Sequence, residues 1–396
     1  MNKQTNTPEL RFPEFDEEWE KRKLGEVVNY KNGGSFESLV KNHGVYKLIT
    51  LKSVNTEGKL CNSGKYIDDK CVETLCNDTL VMILSEQAPG LVGMTAIIPN
   101  NNEYVLNQRV AALVPKQFID SQFLSKLINR NQKYFSVRSA GTKVKNISKG
   151  HVENFNFLSP DYTEQQKIGN FFSKLDRQIE LEEEKLELLE QQKRGYMQKI
   201  FSQELRFKDE NNNNYPEWKI KKLEEISEFQ NGKAHENFVS DTGKFILVNS
   251  KFISTESKVK KYVDKQLTPL RINDIAIVMS DVPNGKALAK CYLIENDNTF
   301  TLNQRIGRIF NIEGNSRFLF TQINRNKQLL KYDSGVGQTN LKKSEIIGIK
   351  IYWPNKREQD KIGDFFINLD SIIEKQSTKV ELLKQRKKGL LQKMFV

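Results

Sequence analysis

The side chains best placed to do chemistry are cations and amides in loops. One basic loop, Ser139 to Gly150, follows Arg138 and carries Lys143, Lys145, Asn146 and Lys149 with no acid. A second, Tyr332 to Lys343, carries Asn340, Lys342 and Lys343. Two further pairs of loops resemble each other. Ser85 to Gly93 matches Ser280 to Lys286, which ends on a lysine, and Thr50 to Asn55 with Lys52 matches Asn249 to Ser254 with Lys251. Lysine and arginine neutralise phosphates, while amides such as Asn146 and Asn340 can bond adenine in a major groove. The set Lys52, Arg138, Lys143, Lys145, Asn146, Lys149, Lys251, Lys286, Asn340, Lys342 and Lys343 is therefore a candidate nucleic-acid surface. For any single member a solvated surface group is the competing reading.

Other chemistries find no parts. The chain has no Gly-X-X-X-X-Gly-Lys-Ser/Thr loop, no Gly-X-Gly-X-X-Gly nucleotide loop and no Asn/Asp-Pro-Pro-aromatic methylation motif. His43, His151 and His235 are scattered, and Cys61, Cys71, Cys76 and Cys291 match no zinc spacing. Pro160-Asp161 followed by Glu183-X-Lys185 mimics a nuclease signature. Both parts fall in or beside one long helix, too far apart along it to share a metal. No catalytic and no metal site is expected.

The elements that must position these loops come in two copies. Glu164-Gln165-Gln166-Lys167-Ile168-Gly169-Asn170-Phe171-Phe172 is answered by Glu358-Gln359-Asp360-Lys361-Ile362-Gly363-Asp364-Phe365-Phe366. Leu106-Asn107-Gln108-Arg109 is answered by Leu302-Asn303-Gln304-Arg305, and Trp19, Leu24, Asn32 and Gly33 by Trp218, Leu223, Asn231 and Gly232. The helical ends match best and the middles diverge, as one scaffold carrying two different ligand specificities would. Asn107-Gln108-Arg109 and its twin suit a strand end of the scaffold better than discrimination.

Each copy ends in a proline-free run rich in long side chains, preceded by Ser159-Pro160 or Trp353-Pro354. Apolar residues step by four and three, as a coiled-coil seam requires. One seam runs Ile168, Phe172, Leu175, Ile179, Glu182, Leu186, Leu189, Lys193, Tyr196, Ile200. The other runs Ile362, Phe366, Leu369, Ile373, Gln376, Val380, Leu383, Lys387, Leu390, Met394. Antiparallel pairing centred between Leu186 and Leu189 sets Glu182 opposite Lys387 and Lys193 opposite Gln376, so these four are expected to fix the register. The N-terminal segment (Leu10-Arg11-Phe12 to Trp19) resembles the one after the first helix (Leu205-Arg206-Phe207 to Trp218). It is expected beside Met394 and Phe395.

The globular parts read as mixed α/β with short strands. The expected fold class is thus α+β. Two mixed α/β target-recognition domains are separated by a long antiparallel two-helix coiled coil, with a pseudo-twofold internal repeat. Boundaries fall at 1–160 for the first domain, 161–204 for the first helix, 205–354 for the second domain and 355–396 for the second helix. Among 396 residues the net charge is +12, which favours a polyanion partner. No run is apolar enough to span a membrane, and Met1 to Pro13 lacks an apolar signal core. A cytoplasmic protein with no membrane partner is expected.

Two diverged domains, each followed by Glu-Gln-X-X-Ile-X-X-Phe-Phe-X-X-Leu-Asp (Glu164 to Asp176, Glu358 to Asp370), resemble the specificity subunit of type I restriction-modification enzymes across essentially the whole chain. The Trp-X-X-X-X-Leu entry to each half, Trp19 to Leu24 and Trp218 to Leu223, fits as well. The resemblance implies that each domain reads one half of a bipartite, asymmetric site on double-stranded DNA. It implies that the coiled coil sets the gap and docks two modification (methyltransferase) subunits, and that restriction (motor-nuclease) subunits join them. S-adenosylmethionine, ATP and Mg would then be bound by those partners and none by this chain, a non-catalytic subunit. A coiled-coil scaffold or adaptor without sequence-specific DNA binding is the alternative, and a stand-alone DNA-binding regulator a third reading.

Overall fold

The computed structural model describes residues 6–68, 72–86, 90–141, 144–282, 286–333 and 335–396. The chain divides into two compact units, one of residues 1–184 with 378–396 and one of residues 185–377. The division cuts two long helices, Tyr162–Phe201 and Lys356–Lys393, so each unit holds a stretch of both.

In the first unit a four-stranded antiparallel sheet runs in the order Val28–Asn32, Val110–Pro115, Leu80–Ile83, Thr95–Ile97. A three-stranded sheet sets Tyr46–Ile49 between Tyr66–Ile67 and a parallel neighbour, Tyr104–Leu106. The strand Glu20–Lys23 pairs with Asn156–Ser159 just ahead of the long helix. The second unit repeats this plan. Its four strands are Glu228–Asn231, Ile306–Phe310, Ile275–Val278 and Cys291–Leu293, and its three are Tyr262–Val263, Phe245–Val248 and Phe300–Leu302. Lys219–Lys222 pairs with Lys350–Trp353 ahead of the other long helix. The central strands Leu80–Ile83 and Ile275–Val278 are buried on both faces, which is why they read as unbroken apolar runs.

The repeated short motifs are joints of this plan. A Cβ on Gly33 would lie 1.9 Å from the Asn107 carbonyl oxygen, and one on Gly232 would lie 1.9 Å from that of Asn303. Only glycine admits so close a backbone approach. Beside them Arg109 and Arg305 turn the chain with φ of 66° and 67°. The Asn107 side chain is buried, accepts the Phe36 N–H and donates to Glu37.

The Glu-Gln pair that opens each long helix is a second joint. Buried Glu164 takes a two-pronged bond from Arg11 at 2.8 and 2.7 Å, and buried Glu358 one from Arg206 at 3.2 and 2.8 Å. Gln165 accepts the N–H of Asp120, and Gln359 that of Asn315. Asp120 and Asn315 in turn cap the helices Ser121–Arg130 and Ser316–Ile323. Gly169 and Gly363 let those caps approach; a Cβ at either would sit 2.4 Å from Asp120 Oδ1 or 2.8 Å from Asn315 Oδ1.

Within each unit the start of one long helix packs against the end of the other. In the first, Phe172 meets Phe395 at 5.9 Å between ring centroids. Ile168, Leu175 and Ile179 share a core with Met394, Leu390 and Leu383. In the second, Phe366 stacks on Phe201 at 6.4 Å, and Ile362 shares a core with Ile200 and Tyr196. The N-terminal segment lies where the repeat places it. The Leu10 N–H donates to the Lys393 carbonyl at 2.8 Å, and Trp19 packs edge-on against Phe395.

The polar residues at these helix positions have partners of their own. Lys387 forms its ion pair with Asp176 at 2.5 Å, and Lys193 with Asp370. Glu182 accepts from Lys379. A four-carbon lysine stem can follow the helix surface to such carboxylates. Gln376 is buried.

Candidate nucleic-acid interface

The structure joins two of the three candidate loops into a ribbon, once in each unit. Lys145–Asn146 pairs antiparallel with Ser85–Glu86, setting Asn146 opposite Ser85. Thr339–Asn340 pairs with Ser280–Asp281, setting Asn340 opposite Ser280. Each ribbon is anchored to the four-stranded sheet below it. The Ile147 N–H donates to the Leu84 carbonyl, and the Leu341 N–H to that of Met279. The ribbons therefore continue the central strand of each sheet outward.

A carboxylate on each ribbon bonds backbone N–H groups a few residues further along the chain. Glu86, only 5% exposed, accepts the N–H groups of Leu91 at 2.5 Å and Val92 at 2.8 Å. Asp281 accepts those of Ala287 at 2.7 Å and Leu288 at 3.1 Å. Arg325 adds bonds to the carbonyls of Lys286 and Leu288. Rigid backing of this kind lowers the ordering cost when exposed side chains engage a ligand.

On this backing Lys145, Asn146, Lys149, Lys286, Asn340, Lys342 and Lys343 are all exposed. Lys149 is shared with Glu153 at 3.5 Å and lies over the Tyr30 ring. Arg138 ends the helix Gln132–Arg138, stacked 3.8 Å from the Tyr134 ring centroid. Lys143 lies outside the described residues.

The third region stands apart. Lys52 and Lys251 are exposed, but Lys251 sits on a short helix, Ser250–Ser254, where a loop was expected. Asn249 causes it by capping the Phe252 N–H at 2.8 Å. At the end of the helix and just past it, the Ser254 carbonyl and Glu256 both accept from Lys290.

The residues that mimicked a nuclease are structural. Asp161 caps the first long helix by accepting the N–H groups of Thr163 and Glu164, and Glu183 is paired with Lys384 at 2.6 Å. His235 is fully buried, between the Lys233 carbonyl at 2.7 Å and Thr301 Oγ1 at 3.0 Å. Burial pushes the Cys291 thiol far up, so it stays protonated. Among the described residues no group of histidine, cysteine and carboxylate side chains converges as a metal site would, and no helix is long and apolar enough to cross a membrane.

A family model described as the type I restriction modification DNA specificity domain matches residues 16–191 and again 215–384. The chain belongs to the type I restriction-modification DNA-specificity family. Its role is DNA sequence specificity, and a specificity subunit is non-catalytic. A curated relative, the type I restriction enzyme MjaVIII specificity subunit of Methanocaldococcus jannaschii, is 24% identical and aligns with 98% of this chain and 95% of its own length. The fold is similar to that of the type I restriction-modification S subunit from M. genitalium, with a TM-score of 0.68 at 18% identity and 98% and 99% of the two chains covered. A second solved chain, from a study of complex assembly and conformational transition of the type I R-M system, has a TM-score of 0.51 at 13% identity, with 95% and 97% covered.

Glu86 and Asp281 are the residues of this specificity subunit that sequence reasoning missed. The cations and amides of these loops held the attention, and their acids did not. The signal was present: each follows a serine at a matched place, Ser85-Glu86 and Ser280-Asp281.

Proposed function

We propose that residues 1–160 and 205–354 are two target-recognition domains, each reading one half of a bipartite, asymmetric site on double-stranded DNA. The observation that carries this reading is the ribbon built twice from the basic loops, Lys145-Asn146 in one unit and Thr339-Asn340 in the other. Similar backing under different ribbon residues, Lys145 in one and Thr339 in the other, is what two readers of different sequences need. Lys145, Lys149, Lys286, Lys342 and Lys343 hold phosphates, and Asn146 and Asn340 face base edges. Lys52, Arg138, Lys143 and Lys251 belong to the same proposed surface.

The long helices form one antiparallel coiled coil in this reading. The coiled coil fixes the gap between half-sites and docks two modification subunits, with restriction subunits joining them. S-adenosylmethionine, ATP and Mg are bound by those partners in the cytoplasm. The test is to replace residues 20–160 by the same region of a relative and map methylated adenines in cells. One half-site changes and the other stays; a change in both rejects the assignment of one domain to one half-site.

A further inference from the structure

The two ribbons end differently. Beyond Ser280–Asp281 and Thr339–Asn340 the chain leaves the same end of the ribbon as Val282 on one side and the segment 335–338 on the other. Val282 is 64% exposed, and Val336 is 89% exposed between Gly335 and Gly337. In the first half the matched stretch, Gly141-Thr142-Lys143-Val144, carries a lysine where the second has Gly337.

An isolated exposed valine is ordinary, but this pair has a setting. Lys286, Lys342 and Lys343 are exposed within seven residues of one valine or the other along the chain, and Asn340 lies on the ribbon itself. Gln338 donates to Ser280 Oγ at 2.7 Å, tying the apolar tip to the ribbon base. Asp281 accepts the Val282 N–H at 2.9 Å and fixes that side chain's origin. Two exposed branched apolar groups cannot improve phosphate binding. In a major groove the chemical group they fit is the C5-methyl of thymine, the one apolar feature on a base edge.

We propose that Val336 is a specificity-determining residue that reads a thymine methyl group in the half-site of the second domain. This rests on the DNA-reading assignment above and adds the base chemistry. The lysines supply affinity without regard to sequence, and Asn340 and Val336 together select an A·T-containing step. In the first half the residue that answers Val336 in sequence is Thr142, followed by Lys143.

The test uses the full chain assembled with its modification subunits and duplexes of its mapped site, each with one thymine replaced by uracil, which lacks only the methyl. The expected result is a loss of about fourfold in affinity at one position of the second half-site, the effect of one buried methyl or methylene. V336A binds thymine and uracil at that position equally, with an unchanged dependence on salt. K342Q and K343Q keep the thymine preference and lower the salt slope. If no uracil matters in the second half-site, or V336A retains the preference, the methyl reading is overturned while DNA specificity stands. If no duplex is bound more tightly than random sequence, the DNA-reading assignment falls with it. Val336 is exposed, so V336A keeps its fold, and an unchanged thermal midpoint verifies this.

Discussion

Gly169 and Gly195 lie on one helix and have opposite prospects. A Cβ on Gly169 would clash with Asp120 and press on the Phe123 N–H, at the cap of the helix that packs there. Gly195 meets nothing within 4 Å. Alanine at 195 therefore stabilises by up to about 1 kcal/mol through helix propensity alone. Alanine at 169 destabilises by about 1–3 kcal/mol through overpacking. Thermal unfolding of the two variants measures both signs, and equal signs would contradict the packing. Both glycines are plain in the sequence, and nothing local to either separates them. The distinction lies in what arrives from residues 120–123, a tertiary fact. For the same reason the basic loops were legible as segments, but their union with Ser85–Glu86 and Ser280–Asp281 was not.

At the scale of elements, the join between the first recognition domain and the long helices centres on Asp176. Its carboxylate pairs with Lys126 from the helix Ser121–Arg130 and with Lys387. Burial alone would raise the Asp176 pKa, but the two ammonium groups outweigh it and hold the carboxyl below its ordinary value. Burial also pulls Lys126 down, against the attraction of Asp176. The depressed acid contributes stability fully above its unfolded value near 3.8, and loses it as pH falls through the lower folded value. D176N leaves two lysines facing each other, one of them mostly buried, and costs about 3 kcal/mol near pH 7. That cost shrinks at high pH, where Lys126 releases its proton readily. Denaturant unfolding of wild type and D176N at pH 7 and at pH 10 checks this; a penalty independent of pH would sink the account. The two long helices were readable from their proline-free runs with four-three spacing. The ion pairs they form were not, because a lysine stem reaches carboxylates several residues from its own position.

A second test at this scale concerns the N-terminal segment. Arg11 holds buried Glu164, and that bond is the main reason its guanidinium binds its proton more tightly than usual. R11A strands a buried carboxylate at a cost of about 3 kcal/mol. It also frees the segment before Trp19 from the helix end at Lys393. Limited proteolysis then cuts within residues 6–18 faster than in wild type, and unchanged protection would show that Leu10 and Phe12 suffice.

For the whole molecule, the proposed ruler turns helix length into DNA length. An insertion of seven residues in each long helix preserves the seam, because the apolar pattern repeats every seven. Leu186 and Val380 are repeat equivalents, so insertions after both keep the two halves matched. Seven helical residues add about 10.5 Å along the axis, the rise of about three base pairs of duplex at about 3.4 Å each. The expected product methylates a site with the same two half-sequences and a gap longer by up to about three pairs. An insertion in one helix alone breaks the match and loses modification. Methylation mapping reads all three proteins in one experiment. A double-insertion protein that modifies the original gap would mean that the helices do not set it, and that the two recognition domains are spaced by their partners instead.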